Sequence, residues 1–293
     1  MLPDRPGIPP MAKMPEPEII DIEALRRSLD SGEYDCVCVL GPTASGKTRY
    51  AVQLARQLRE ISPRASLGRD DSFVISSGVE KSPEILSADS RQVYRGMDIG
   101  TGKDLGEYGD VPYHLIDIAP AGAKFNIYQY QEAFAKVFAD VKSRRVIPII
   151  CGGSGLYIES VTRAYKFDKG NGLPDDVLPR STYYIGTLVS REERVRRIDV
   201  RLEERLREGL VEEVRGLLET VPAEDLIYYG LEYKFVTEYI QGKYGYDDMV
   251  MFLGNAIHQF AKRQMTWFRG MERDGVCIHW VNPVVKDSGS SPE

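Results

Sequence analysis

Three observations predict an α/β fold: a doubly wound parallel sheet with helices on both faces and a helical C-terminal part. Short apolar runs, "DCVCVL", "EILS" and "VIPIIC", alternate with stretches of helical period such as "YAVQLARQL" and "YQEAFAKVFADV", the rhythm of strand–helix–strand units. The first and last of these runs end directly in glycine, in "GPTASGKT" and "GGSG", as strand-to-ligand-loop turns do in open parallel sheets. From residue 190 onward the pattern becomes almost wholly helical.

Each element follows in chain order. Residues 1–17 are Pro-rich and lack the apolar centre of a signal peptide, so they are expected to be a disordered tail. "EIIDIEALRRSLDSG" reads as a short helix stopped at Gly32. "DCVCVLG" is a buried strand, and "KTRYAVQLARQLREI" is the helix after it, with Tyr50, Leu54 and Leu58 on one face. Residues 62–83 are polar and punctuated, and read as a loop or a small irregular insertion. "EILSADSRQVYRGMDIGTGK" is a second strand, a turn and a polar loop. "YHLIDI" is a third strand, "NIYQYQEAFAKVFADVKSR" an amphipathic helix, "VIPIICGG" a fourth strand, and "SGLYIESVTRAY" the next helix. The core is therefore expected to span 18–164. A loop follows over 165–182, and 183–283 completes the core with the strand "TYYIGTLV", a run of helices and a closing strand "VCIHWVN". The helices carry Ile198, Leu202, Leu206 and Leu210 at fourfold spacing. Residues 284–293 are a polar tail.

Bulk properties narrow the function. The 293 residues, 42% hydrophobic, suffice for one large core. A net charge of −6 rules out binding nucleic acid by overall charge, so any such contact needs a local patch or shape readout. No apolar run approaches the ~20 residues of a membrane span, so no membrane association is expected. Four Cys and three His show no zinc-ligand spacing, and the cysteines read as buried reduced thiols of a cytoplasmic protein.

The sharpest chemical signal is Gly41-Pro42-Thr43-Ala44-Ser45-Gly46-Lys47-Thr48, after a strand and opening a helix. This is the context a P-loop needs, which makes the expected core P-loop NTPase-like. Convergent backbone N–H groups and the helix N-terminus hold phosphate oxygens, Lys47 adds a point charge, and Thr48 offers a hydroxyl to Mg²⁺. The loop identifies a phosphate, not a nucleoside.

Asp89 lies just past the second strand, where it either orients and deprotonates a nucleophile beside the phosphates or caps a turn. Asp117 is a weaker candidate for organising Mg²⁺, because a strand-end Asp is often structural. Gly152, Gly153 and Ser154 offer N–H groups and a hydroxyl to a second anion, or form only a tight turn. Lys262, Arg263 and Arg269 surround Trp267, either as a phosphate and base contact or as a solvated face. The Arg-rich run from Arg191 to Arg215 is interleaved with Glu and reads mostly as a self-paired, solvated face. His114, His258 and His279 read as packed or surface residues.

Taken in order, "GPTASGKT", "SADSRQVYRGMDIGTGK", "HLIDI", "GGSGLY", "GLVEEV" and "FAKRQMTWFR" closely resemble the tRNA dimethylallyltransferase (tRNA isopentenyltransferase) family, over about Cys36 to Trp280 with gaps. The resemblance implies transfer of a dimethylallyl group from dimethylallyl diphosphate to N6 of the adenosine beside the tRNA anticodon. In that scheme Gly41, Thr43, Ala44, Ser45, Gly46, Lys47 and Thr48 hold the diphosphate, with Mg²⁺ at Thr48. Asp89 falls on the family's catalytic carboxylate. Ser154 falls on its hydroxyl donor to the bridging oxygen. Ser90, Arg91, Gln92, Lys234 and Arg263 fall on tRNA-contacting positions. A monomer is expected.

Two departures bear on tRNA. The family's helical insertion, which grips the anticodon stem, is reduced here to Tyr165–Thr182. Tyr229 in "YGLEYKF" stands where the family has Arg, with Lys234 retaining part of that function. A prenyltransferase acting on free adenine nucleotides, like the adenylate isopentenyltransferases, and a P-loop kinase or NTPase are the alternative readings.

Overall fold

The computed structural model describes residues 15–61, 82–163 and 177–283. The expected tails at 1–14 and 284–293, the insertion at 62–81 and most of the 165–182 loop lie outside these residues.

Eight strands and nine α-helices are formed among the described residues. The strands are β1 (Cys36–Leu40), β2 (Glu84–Ser87), β3 (Tyr94–Arg95), β4 (Tyr113–His114), β5 (Ala119–Pro120), β6 (Pro148–Gly152), β7 (Thr182–Thr187) and β8 (Ile278–Val281). The helices are α1 (Ile22–Asp30), α2 (Lys47–Glu60), α3 (Ile127–Ser143), α4 (Gly155–Thr162), α5 (Arg191–Glu208), α6 (Leu210–Leu218), α7 (Ala223–Tyr229), α8 (Leu231–Ile240) and α9 (Tyr246–Arg273).

Six strands form one sheet in the order β4-β2-β6-β1-β7-β8, and every pairing is parallel. The buried β1 residues alternate between faces. Val37 and Val39 join the cluster under α1 and α2, with Leu54, Leu58 and Ile149. Cys36, Cys38 and Leu40 join the larger cluster under α3, α4 and the C-terminal helices, with Phe134, Ile158 and Phe268. Two-sided burial explains why the central strands read as unbroken apolar runs.

Three expectations change in detail. "YHLIDI" is a strand only at Tyr113–His114, because Leu115 and Asp117 take positive φ (66° and 57°) and turn the chain out of the sheet. Ala119–Pro120 then pairs with Tyr94–Arg95 in a separate two-stranded sheet. Asp117 does not organise the phosphate site. Its carboxylate is bonded to the buried Lys103, which also binds Asp98 (2.8 Å) and the Tyr94 carbonyl. The helical run after Ser190 breaks at Gly209 (φ 102°) into α5 and α6, since a left-handed residue ends one helix and opens the next.

The candidate diphosphate-transfer site

The loop from β1 to α2 sits at the C-terminal ends of the central strands, where parallel sheets bind ligands. Ala44 (φ 59°) and Gly46 (φ 83°) are left-handed, a conformation that turns successive N–H groups inward as an anion nest. Gly41 has no room for a side chain. A Cβ there would lie 2.3 Å from Thr187 Oγ1 and 2.6 Å from Ser45 Oγ. The fully buried Ser45 hydroxyl bonds Thr187 Oγ1 (2.7 Å), so it braces the loop against β7.

The neighbouring strand ends bring two candidates together. A Cβ on Gly152 would lie 2.2 Å from the Ala88 carbonyl, so glycine lets β6 close on the chain leaving β2. The Ser154 N–H donates to that carbonyl (3.3 Å). Ser154 Oγ accepts from the Ser90 N–H (3.1 Å) and donates to Ser90 Oγ (3.2 Å). Asp89 accepts from the Arg91 N–H (3.0 Å). It therefore caps its turn and also faces the cavity.

Two small adjoining cavities occupy this region. One, about 60 Å³, is lined by Lys47, Asp89, Arg91, Ser154, Arg205 and Glu232 together with the apolar Leu231, Ile257 and Phe260, among others. The second, about 50 Å³, is lined by Thr43, Lys47, Thr48, Asp89, Arg201 and Arg205, among others. On the outer side, Lys47, Thr48, Arg201 and Arg205 also border a wider cleft of about 600 Å³. Burial lowers the pKa of the Lys47 ammonium, and the nearby Asp89 carboxylate partly opposes this. The cavity thus brings a half-buried cation and a carboxylate together with apolar side chains.

Several residues escaped the sequence reading. Arg201 and Arg205 belong to the arginine run expected to be solvated. Their fourfold spacing instead turns both onto the phosphate loop. Arg201 pairs with Asp104. The buried Arg205 pairs with Glu232 (3.1 Å), and burial depresses its pKa. Gln264 was hidden inside "FAKRQMTWFR". Its Oε1 accepts from the Thr43 N–H (2.8 Å) and its Nε2 donates to the Gly153 carbonyl (2.9 Å), tying α9 to both glycine loops. The only sequence signal for it was its place in a motif.

The other candidates are distributed unevenly. Arg91 donates to the Tyr229 carbonyl and lies over the Phe260 ring (5.9 Å), as does Arg263 from the other direction along α9 (5.9 Å). Gln92 braces the turn by donating to the Gly102 carbonyl (3.2 Å). Lys234 lies over the Phe235 ring (5.4 Å) and does not line the two small cavities. Tyr229 is buried, packs at a tilt of 52° against Tyr94 (centroids 4.4 Å) and donates to the Ala123 carbonyl (2.6 Å).

This combination defines a class: a P-loop α/β enzyme that handles a phosphate ester or anhydride, with a carboxylate lining the same cavity. The comparisons narrow it further. The IPP transferase family profile matches residues 92–176 and 171–271. The tRNA dimethylallyltransferase 2 of Porphyromonas gingivalis is 41% identical over 85% of this chain and 94% of that protein. The protein of the same name from Bacteroides fragilis is 41% identical over 85% and 93%. The crystal structure of the full-length tRNA isopentenylpyrophosphate transferase from Bacillus halodurans superposes with a TM-score of 0.68, at 25% identity, covering 86% of this chain and 91% of that one. The chain belongs to the IPP transferase family. It is a prenyltransferase of the tRNA dimethylallyltransferase type. No helix among the described residues is long and apolar enough to cross a membrane.

Proposed function

We propose that this protein moves a dimethylallyl group from dimethylallyl diphosphate to N6 of the adenosine adjacent to the tRNA anticodon and releases diphosphate. One observation carries the reading: Asp89 shares a small cavity with Lys47 and Ser154, and Leu231, Ile257 and Phe260 line the same cavity. An apolar lining next to the carboxylate suits an allylic carbon chain.

The chemistry follows from these groups. The allylic C–O bond breaks as the N6–C bond forms, and charge develops on the leaving diphosphate. The backbone N–H groups of Ala44, Gly46, Lys47 and Thr48, together with the Lys47 ammonium, stabilise that charge. Arg201 and Arg205 border the same space. Asp89 accepts the N6 proton and orients the weakly nucleophilic amine. Ser154 donates to the bridging oxygen in this scheme, its hydroxyl proton turning there from Ser90 Oγ. The base must leave its stack to reach this cavity, and Ser90, Arg91, Gln92, Lys234 and Arg263 are the proposed tRNA contacts.

Among the described residues no group of three His, Cys, Asp or Glu could hold a metal alone. Magnesium fits this donor set in its usual way, on one protein hydroxyl and the substrate's own phosphate oxygens, with Thr48 supplying the hydroxyl. There it would neutralise the departing charge.

The test offers purified protein, Mg²⁺ and radiolabelled dimethylallyl diphosphate to unmodified tRNA or to AMP, ADP and ATP. Label in tRNA is expected. Label in nucleotides alone would move the protein to the adenylate-prenylating class. ATP turnover at kinase rates without prenyl diphosphate would sink both readings.

A further inference from the structure

We propose that Phe260, with Ile257 and Leu231, sets the length of the prenyl chain, and that Arg91 and Arg263 hold Phe260 in place for this task. The proposal rests on the reading that the cavity takes an allylic diphosphate. It adds which side chains decide the donor.

The cavity of about 60 Å³ containing Asp89 has a mixed lining. Lys47, Asp89, Arg91, Ser154, Arg205 and Glu232 present charged and hydroxyl groups. Its apolar part is Leu231, from the start of α8, with Ile257 and Phe260 from α9, spaced by three residues so that they share a helix face. The volume is about 60 Å³, which at ~10–15 Å³ per enclosed water is room for about five waters. That suits a five-carbon group and is too small for a second isoprene unit unless the wall moves.

Phe260 is the member of the wall best fixed from outside. It is only partly buried, and a half-exposed ring in a plain apolar setting would be free to swing. Here the guanidinium groups of Arg91 and Arg263 both lie 5.9 Å from its centroid, each within cation–π range. Arg91 is itself anchored on the Tyr229 carbonyl beside Gly230, where a Cβ would overlap its guanidinium. Glycine at 230 thus makes room for the arginine that pins the ring. Two residues that sequence resemblance assigns to RNA contact also hold the donor gate.

The experiment compares dimethylallyl diphosphate with geranyl diphosphate for the wild type, Phe260→Ala, Phe260→Leu and Arg91→Ala. Direct titration of both diphosphates, without an acceptor, accompanies kcat/KM with tRNA. One misplaced methylene changes selectivity by about 10–200-fold, so Phe260→Ala is expected to shift the five- to ten-carbon preference by at least about tenfold toward geranyl. Phe260→Leu should give a smaller shift, and Arg91→Ala an intermediate one. An unchanged preference in Phe260→Ala, in both titration and turnover, overturns the proposal. If Phe260→Ala does not fold, an unchanged preference in Phe260→Leu and Arg91→Ala overturns it equally. Failure of the wild type to bind either diphosphate would instead strike the underlying reading of the cavity.

Discussion

Asp89 and Lys47 line one cavity, and the Asp89 carboxylate favours the charged form of Lys47. Replacing Asp89 by Ala removes the proton acceptor and leaves the phosphate cradle intact. Transfer is expected to fall by about 10²–10⁴-fold, with diphosphate affinity changed only a few-fold; near-normal transfer rates would show that another group takes the proton. Lys47 makes a second prediction. Burial sets its pKa below the ordinary lysine value of 10.5, and Asp89 pulls it back up. The folded protein therefore gives up this proton more easily than the unfolded chain, and the group's contribution to stability rises with pH toward 10.5. Diphosphate affinity has the opposite trend, because it needs the ammonium: it declines as pH rises through the depressed value. In Asp89→Asn the decline begins at lower pH. Titration calorimetry with inorganic diphosphate from neutral pH upward checks this, and curves that coincide for the two proteins would refute it.

At the scale of elements, α6 holds the loop that lines the site. The Glu213 carboxylate accepts from the N–H groups of Asp98 (2.9 Å), Ile99 (2.7 Å) and Gly100 (3.0 Å) and from the Tyr233 hydroxyl (2.7 Å). The next residue, Thr101, reaches both small cavities. Glu213→Gln swaps one acceptor oxygen for a donor facing donors, and removes the charge from those hydrogen bonds. A loss of about 1.5–3 kcal/mol in urea unfolding is expected, with a higher KM for the prenyl donor. Unaltered stability would mean that the loop holds its shape without α6. The same scale explains why the arginine run misleads a sequence reader. Glu192, Glu193, Glu203 and Glu204 offer local partners, and Glu193 does pair with Arg196 and Arg197. Arg201 and Arg205 find theirs on distant segments, Asp104 and Glu232.

Across the whole molecule, the edge of the main sheet depends on one acid. Glu84 in β2 takes two bonds from Arg144 at the end of α3 (2.5 and 2.7 Å) and one contact from His114 in β4 (2.7 Å). The Arg144 hydrogen bonds, with smaller help from His114, hold its carboxyl below the usual 4.5 against the effect of burial. The folded pKa is the lower one, so the stability from this group is complete above pH 4.5 and drains away as pH falls through the folded value. Melting temperatures of the wild type and Arg144→Ala should therefore differ at neutral pH and converge in acid. A gap that stays constant with pH would assign the effect to packing instead.

The sequence by itself determined the local matters. Strand β1 runs into its phosphate loop because a buried apolar run meets Gly41, and α2 follows because Lys47 onward has helical period. Asp89 and Ser154 were legible because both lie at strand ends, and parallel strands deliver their C-termini to one edge. The tertiary structure alone decided which distant side chains complete the cavity. Leu231, Ile257, Phe260 and Gln264 look like ordinary core or surface positions within their own helices, because helical period reports only that a face is covered. What covers it depends on α8 and α9 meeting the loops that follow β1, β2 and β6, about eighty residues or more away along the chain, and no local pattern encodes that meeting. For the same physical reason Asp117 looked available for metal and is instead consumed by Lys103: a charge finds its partner through space, after the chain has turned.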